Sequence, residues 1–408
     1  MKILIVSQYF PPEPFRVGDL AVALQERGCQ VTVLTGFPNY PKGEIYDGYQ
    51  LQPFKREDYQ GVSVLRVPLY PDTSYSKLKR ISNYLSYAAS ASLLGPLLIH
   101  PSKYDRIITF QLSPVTIGLP SIAIKAAHFS KAPIYFWIQD IWPESLQAAG
   151  LVEKGLAIQL TRNLVNFLYH RSEKILVQST GFIPKILEYG IPAEKIEFLP
   201  NWAEDLYEPV DRDLELAKRE RMAGYFNVVF AGNVGTAQSL ETVVKTAQML
   251  ADYPGIQFVI LGDGANLEKL KTEAEGLTNI CFKGRRPVET MPQYFALADA
   301  LLVQLKRDPL FAITIPSKIQ SYLACARPVI AGLEGSGAKV IEDAQAGVVC
   351  EPENPASLRD AVLNLYKMPL EQRQKLGENA RQYYDSYFSR SRVIDRLIEI
   401  MKGGSNND

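Results

Sequence analysis

A proline, a hydroxyl and an ammonium stand in succession at Pro316-Ser317-Lys318, after Thr314-Ile315 and ahead of a helical run through Ile319–Cys325. Proline suits the first helical turn, where its missing N–H costs nothing. The N–H groups of Ser317 and Lys318 then point out of the helix start. The helix macrodipole and the Lys318 ammonium both favour an anion there. The competing reading is a capped helix with an ordinary surface lysine. Other loops of the same half could add to an anion site. Gly232-Asn233-Val234-Gly235 has two glycines before a helix, which lets backbone approach a phosphate. Gly262 and Gly264 flank Asp263 in a similar turn, and Arg285 and Arg286 bring two cations.

The first half offers carboxylates and amides instead. Tyr9–Arg16 carries three prolines that stiffen a loop holding Glu13 and Arg16. Gln139-Asp140 follows an apolar run. Asp140 either points into a ligand crevice or caps the next helix. Asn201 follows another such run, where it contacts a ligand or caps a turn.

Other chemistries are thinly supplied. His100, His128 and His170 are scattered, and Cys29, Cys281, Cys325 and Cys350 show no CxxC spacing. They read as reduced thiols of a cytosolic protein, without a histidine metal cage or triad. Lys+Arg and Asp+Glu are each 44, so nothing pulls the whole chain toward nucleic acid. No GxGxxG follows the first apolar run, which disfavours a nicotinamide dehydrogenase.

These residues need strands and helices to place them. A chain of 408 residues suits two domains, and 47% hydrophobic with 22% charged residues is a globular composition. Strands are expected at Lys2–Val6, Val31–Leu34, Val62–Val67, Arg106–Phe110, Ile134–Ile138, Ile175–Val177 and Ile196–Leu199. Helices are expected at Gly18–Arg27 and at 77–98, 114–128, 155–171 and 181–189. A polar segment, Asn201–Met222, reads as the interdomain connection. The pattern then restarts with strands at Val228–Ala231, Gln257–Leu261, Asn279–Phe282, Ala300–Val303, Val329–Ala331 and Val348–Cys350, and a helix at 239–251. Strands alternating with helices imply two parallel, doubly wound sheets, with ligands beyond the strands' carboxyl ends. Pro355–Lys402 reads as three helices and Gly403–Asp408 as a frayed tail.

With these loops in place the chain resembles the family 4 retaining glycosyltransferases of GT-B fold, nearly end to end. Within them it looks like the colanic-acid and O-antigen branch that includes fucosyl and N-acetylfucosaminyl transferases. The resemblance is carried by KILIVSQYFPPEPFRVGDLAVALQERGCQVTVLTGFPNYPKGEIYDGY at 2–49, IQDIWPES at 138–145, FAGNVGTAQSLE at 230–241 and PSKIQSYLACARPVIA at 316–331. It implies two Rossmann-like domains facing across a cleft. The acceptor domain would span 1–203 and regain the last helix, 386–402. The nucleotide-sugar domain would span 204–385. It implies a UDP- or GDP-sugar donor, no metal, and a glycan or polyprenyl-diphosphate-linked acceptor.

The family's residue roles carry over in part. Two glutamates eight positions apart are replaced by Ile313 and Ser321, the second being the place that often binds donor ribose. The usual histidine appears as Gln139, which with Arg16 and Asn201 falls on the acceptor side. Donor binding then rests on Gly232, Asn233, Gly235, Gly262, Gly264, Arg285, Arg286, Ser317, Lys318 and Ser321. The leaving diphosphate would be met by Lys318, by the N–H groups of Ser317 and Gly235, and by Arg286. Asp140 or Glu13 would orient the acceptor hydroxyl or face the oxocarbenium-like centre. Asp211-Arg212-Asp213 has the DxD spacing of a metal site in another glycosyltransferase fold, but reads here as solvated linker charge.

Lys77–Arg80 followed by the uncharged Ile81–Ile99 either packs on the first sheet or lies along a membrane surface. Two rival functions share the architecture: a sugar-nucleotide epimerase and a non-catalytic sugar-nucleotide binder.

Overall fold

The computed structural model describes residues 1–73, 76–100, 103–148 and 155–403. Of the tail expected to fray, Gly403–Asp408, the residues from 404 on lie outside them. The chain divides into two compact units. One comprises Met1–Gln178, Phe182–Leu199 and the chain from Ile394 on; the other comprises Ser179–Gly181 and Pro200–Val393.

The first unit is built on eight strands: β1 (Lys2–Val6), β2 (Gln30–Gly36), β3 (Lys55–Tyr59), β4 (Val62–Val67), β5 (Arg106–Gln111), β6 (Ile134–Ile138), β7 (Lys174–Val177) and β8 (Ile196–Phe198). Their order is β3-β4-β2-β1-β5-β6-β7-β8. All pairings are parallel except β3 on β4. Its helices are α1 (Val17–Glu26), α2 (Lys77–Leu98), α3 (Gly118–Ala127), α4 (Glu144–Ala148), α5 (Leu156–Arg171) and α6 (Ile183–Leu187). β1 buries Ile3, Leu4, Ile5 and Val6 completely. Burial on both faces is what a parallel sheet covered by helices requires. Each such side chain contributes about 1.5–3 kcal/mol over exposure. β3 escaped the sequence pattern because it is Lys-Arg-Glu-Asp-Tyr, with no apolar run. Charge on an edge strand also blocks pairing with another chain.

The second unit has six parallel strands: β9 (Phe226–Ala231), β10 (Ile256–Leu261), β11 (Ile280–Gly284), β12 (Ala300–Gln304), β13 (Val329–Gly332) and β14 (Gly347–Cys350). Their order is β11-β10-β9-β12-β13-β14. Its helices are α7 (Leu214–Arg219), α8 (Glu241–Met249), α9 (Leu267–Glu273), α10 (Met291–Ala296), α11 (Pro309–Ala312), α12 (Ser317–Ala324), α13 (Ser336–Asp343), α14 (Pro355–Lys367) and α15 (Leu370–Tyr383). A π-helical turn, Tyr384–Phe388, precedes α16 (Arg390–Lys402).

The expected linker is partly structured. Asp213 caps α7 by accepting from the N–H groups of Glu215 and Leu216, and Arg212 pairs with Asp299 at 3.2 Å. Arg212 and Asp213 therefore hold local structure and are not merely solvated charge, while Asp211 is exposed. The units divide at Pro200, a few residues before the expected 203/204. Trp202 and Ala203 are fully buried, and the Tyr384 hydroxyl donates to the Ala203 carbonyl at 3.4 Å. The return to the first unit begins at Ile394, later than the expected 386. From there Arg396 pairs with Glu197 at 3.4 Å, and Arg106 Nε donates to the Met401 carbonyl at 2.6 Å.

Candidate active site

In the second unit the loop after β9 meets the start of α12, and the loops after β10 and β12 pack on that β9 loop. Tyr322 anchors that helix. It is buried, its hydroxyl donates toward the carbonyls of Ala231 and Leu302, and it accepts from the Ala231 N–H at 3.2 Å. Ile319 and Leu323 are fully buried beneath it. Pro316 stands one residue outside the helix, as N-cap, rather than inside the first turn. Ser317 and Lys318 are then the first two helical residues.

Lys318 is the side chain this arrangement isolates. Its ammonium lies 3.8 Å from the centroid of the Phe230 ring. No hydrogen bond or ion pair reaches it from the described residues. Burial pushes its pKa down from 10.5 to about 7. A lysine held without a counter-charge, at a helix start, fits an incoming anion. Gly232 makes the room. A Cβ there would sit 2.5 Å from Lys318 Cε and 2.8 Å from Nζ, and the residue has φ of +135°.

The other expected donor-side residues divide. A Cβ on Gly262 would strike the Gly232 carbonyl, and one on Gly264 would strike the Val234 backbone. Val234 N–H donates to Asp263 O at 2.9 Å and Asn266 N–H to Val234 O at 3.0 Å. These two glycines thus let the β9 and β10 loops close on each other. The expected free N–H of Gly235 instead donates to Gln238 Oε1 at 3.1 Å. Asn233 is exposed beside Gly235. Ser321 is nearly buried and its Oγ returns to the Ser317 carbonyl at 3.4 Å.

The arginine pair divides as well. Arg286 folds back: Nε donates to the Tyr294 hydroxyl at 2.8 Å, one Nη to the Lys283 carbonyl at 2.6 Å, and the other pairs with Glu220 at 3.4 Å. It ties β11 to the chain after α7, while Arg285 is exposed. Glu353 was not anticipated. It accepts from the Arg307 N–H at 2.8 Å and from Ser239 Oγ at 3.5 Å, joining the β9 and β12 loops. Nothing in its local sequence, Glu351-Pro352-Glu353-Asn354, signals that role.

In the first unit Glu13 has a different occupation from the one expected. It is 1% exposed. Its Oε1 accepts from the N–H groups of Asn39 and Tyr40 at 2.9 and 2.8 Å, and Oε2 from Phe10 at 3.1 Å. Burial lifts its pKa to about 7 against the pull of those donors. Glu13 therefore fastens the β1 loop to the β2 loop. Arg66, also buried, holds the carbonyls of Gly36 and Pro11 and pairs with Glu57 at 2.6 Å. Arg16 stands at the start of α1.

What these anchors support is a recess of about 230 Å³ lined by Tyr9, Asn39, Tyr40, Arg80, Asn83 and Tyr84 among others. Tyr9 stacks on Phe15 at 4.8 Å. Asn83 is a hub, donating to Asn39 Oδ1 and Tyr70 O and accepting from Gln8. Asp140, just past β6, accepts from Ser113 Oγ at 2.7 Å, and Trp142 Nε1 donates to that same oxygen at 3.1 Å. Burial raises the Asp140 carboxyl above its ordinary value. It lies close enough to Tyr84 to push the phenol's pKa up, after burial and Arg80 have acted on it. Gln139 extends the sheet, its N–H donating to the Gln111 carbonyl at 2.9 Å. Asn201 is nearly buried at the start of the second unit's main segment.

Comparison with known proteins adds to this geometry. The glycosyl transferase 4-like domain matches residues 15–202, and glycosyl transferases group 1 match residues 211–383. WcaI of Escherichia coli (strain K12), named for colanic acid biosynthesis glycosyl transfer, is 29% identical over 99% of this chain and 100% of its own. A crystal structure of Anabaena HepE in complex with UDP has a TM-score of 0.73 at 15% identity, covering 99% of this chain and 100% of that one. Sucrose-phosphate synthase from Thermosynechococcus elongatus has a TM-score of 0.74 at 15% identity, covering 99% and 98%. With both halves matched and two parallel-sheet α/β units, the chain belongs to the glycosyltransferases of GT-B fold.

Proposed function

We propose that this protein moves a sugar from a nucleoside-diphosphate sugar to a glycan or lipid-linked acceptor in cell-surface polysaccharide biosynthesis, keeping the anomeric configuration and needing no metal. The observation that carries the reading is Lys318, an ammonium without a counter-charge among the described residues, at the start of α12. The similarity to WcaI, named for colanic acid biosynthesis, supports the polysaccharide context. HepE, described in complex with UDP and with UDP-glucose, supports a nucleotide-sugar donor.

In the proposed reaction the bond from the anomeric carbon to the diphosphate oxygen breaks, and its electron pair stays on the diphosphate. Lys318 and the first N–H groups of α12 meet that growing charge, as fixed dipoles do in a site shielded from water. The acceptor oxygen bonds to the anomeric carbon on the same face, and its proton passes to the departing phosphate oxygen. The recess at Tyr9, Tyr40 and Tyr84 holds the acceptor sugar against aromatic faces, and Asp140 orients its hydroxyl. The test is a thermal-shift screen across nucleoside diphosphates and sugar nucleotides, since a ligand of the folded state raises Tm. NMR of the product anomer, with and without chelator, follows. No stabilisation by any nucleoside diphosphate, or an inverted product, refutes the proposal.

A further inference from the structure

The helical layer of the first unit carries on its outside what solvated helices normally keep inside. The solvent-facing positions of α2 follow the helical repeat: Leu78, Ser82, Leu85, Ala89, Leu93 and Leu97. Leu93 is 71% and Leu97 80% exposed. That stripe runs about 30 Å, at 1.5 Å per residue, without a charge in it. α3 packs against both α2 and α5. Phe129, in the loop after α3, is 93% exposed, and Leu156, Leu160 and Phe167 of α5 are exposed as well. An exposed apolar surface of this extent marks an interaction site.

The charge around it has one sign. Lys79 lies on α2, Lys125 on α3, and Arg162 and Arg171 on α5, and none of the three helices contains an aspartate or glutamate. In a chain with equal numbers of cations and anions this is a local excess. Leucines and phenylalanine beside cations, with acids excluded, is the pattern of helices that lie in an anionic membrane interface. A second copy meeting this face across a two-fold axis would set cations against cations. No helix of the described residues is long and apolar enough to cross a membrane.

We propose that this face seats on an anionic lipid bilayer, with the leucines of α2 and Phe129 entering the interface and the cations meeting the headgroups. The same helix supplies Arg80, Asn83 and Tyr84 to the acceptor recess. Seating α2 on a bilayer therefore keeps that recess within reach of a lipid-linked sugar. This last consequence rests on the function proposed above; the seating itself does not.

The experiment is flotation of the full chain with phosphatidylcholine vesicles, with and without about a third phosphatidylglycerol, at low and high salt. The wild type is expected to float with anionic vesicles and to release as salt screens the charges. Leu93→Asp/Leu97→Asp is expected to lose membrane affinity by roughly a hundredfold, from the burial of two leucines. It should keep its Tm and its turnover of a soluble acceptor. A wild type that stays unbound overturns the proposal, as does a leucine variant that floats equally well. So does a concentration-dependent dimer in light scattering that the leucine variant abolishes while no vesicle binds. Loss of turnover with flotation intact would count against the enzymatic reading and leave the seating standing.

Discussion

Replacing Lys318 with Met keeps most of the stem over Phe230 and removes the charge. The buried ammonium titrates near pH 7, so about half of it is charged at pH 7 and about one tenth at pH 8. A bound diphosphate restores the ordinary lysine pKa. Binding therefore takes up about half a proton per nucleotide at pH 7 and about nine tenths at pH 8. Over the same interval UDP or GDP affinity should fall about fivefold, in a range where the nucleotide's own phosphate is already ionised. Calorimetry in two buffers of different ionisation enthalpy reads the proton uptake directly. Lys318→Met should abolish the uptake and lower kcat by roughly a hundredfold, the scale of a lost electrostatic stabiliser. The sign for stability is opposite. A lysine depressed in the folded state binds fewer protons there than in the unfolded chain between pH 7 and 10.5, so it costs most stability at and below pH 7. The unliganded Met variant should therefore melt higher than the wild type at neutral pH. Unchanged proton uptake in Lys318→Met, or near-normal turnover, would refute the reasoning.

Other substitutions probe the remaining contacts. Gly232→Ala places a Cβ against Lys318 Cε and Nζ, so nucleotide affinity should drop about tenfold or more by calorimetry, a loss that Lys318→Met should leave little room to deepen. Glu13→Gln should cost roughly 1–3 kcal/mol in denaturant unfolding, because one buried backbone N–H then faces an amide donor. With its carboxyl raised to about 7, wild-type Glu13 binds more protons folded than unfolded between pH 4.5 and 7. Its contribution should thus weaken as pH rises through that window, and the Gln variant should lose the slope. Arg286→Gln breaks the contacts to Glu220 and Tyr294; Tm should fall while UDP affinity stays within twofold, about 0.4 kcal/mol. Asp140→Asn should lower kcat about tenfold to a hundredfold with donor KM unchanged, and a matching rise in donor KM would move Asp140 out of the acceptor role.

The structure also redraws what its individual residues do. Gly262 and Gly264 are legible as glycines that allow close approach, and the group the structure brings against them is the neighbouring β9 loop. Arg286 stood at the right strand end, and a carboxylate 66 residues earlier claimed it. Glu13 was placed in the right loop, but its partners at Asn39 and Tyr40 come from the next strand's loop. Each is a long-range polar contact, and no local spacing encodes a partner's position.

The sequence by itself determined the elements and their class. Runs such as Ile3–Val6 and Val228–Ala231 are apolar on both faces, so they demand parallel sheets covered by helices, and the Pro316-Ser317-Lys318 helix start is written in three adjacent residues. Those are local effects of hydrophobic periodicity and backbone geometry. Only the tertiary structure decided which charges remain uncompensated. Arg286 and Glu13 are consumed by neighbours, Lys318 is not, and the leucines of α2 end up outside. Whether a group keeps a partner or meets solvent depends on what folding brings beside it, and one-dimensional order does not carry that.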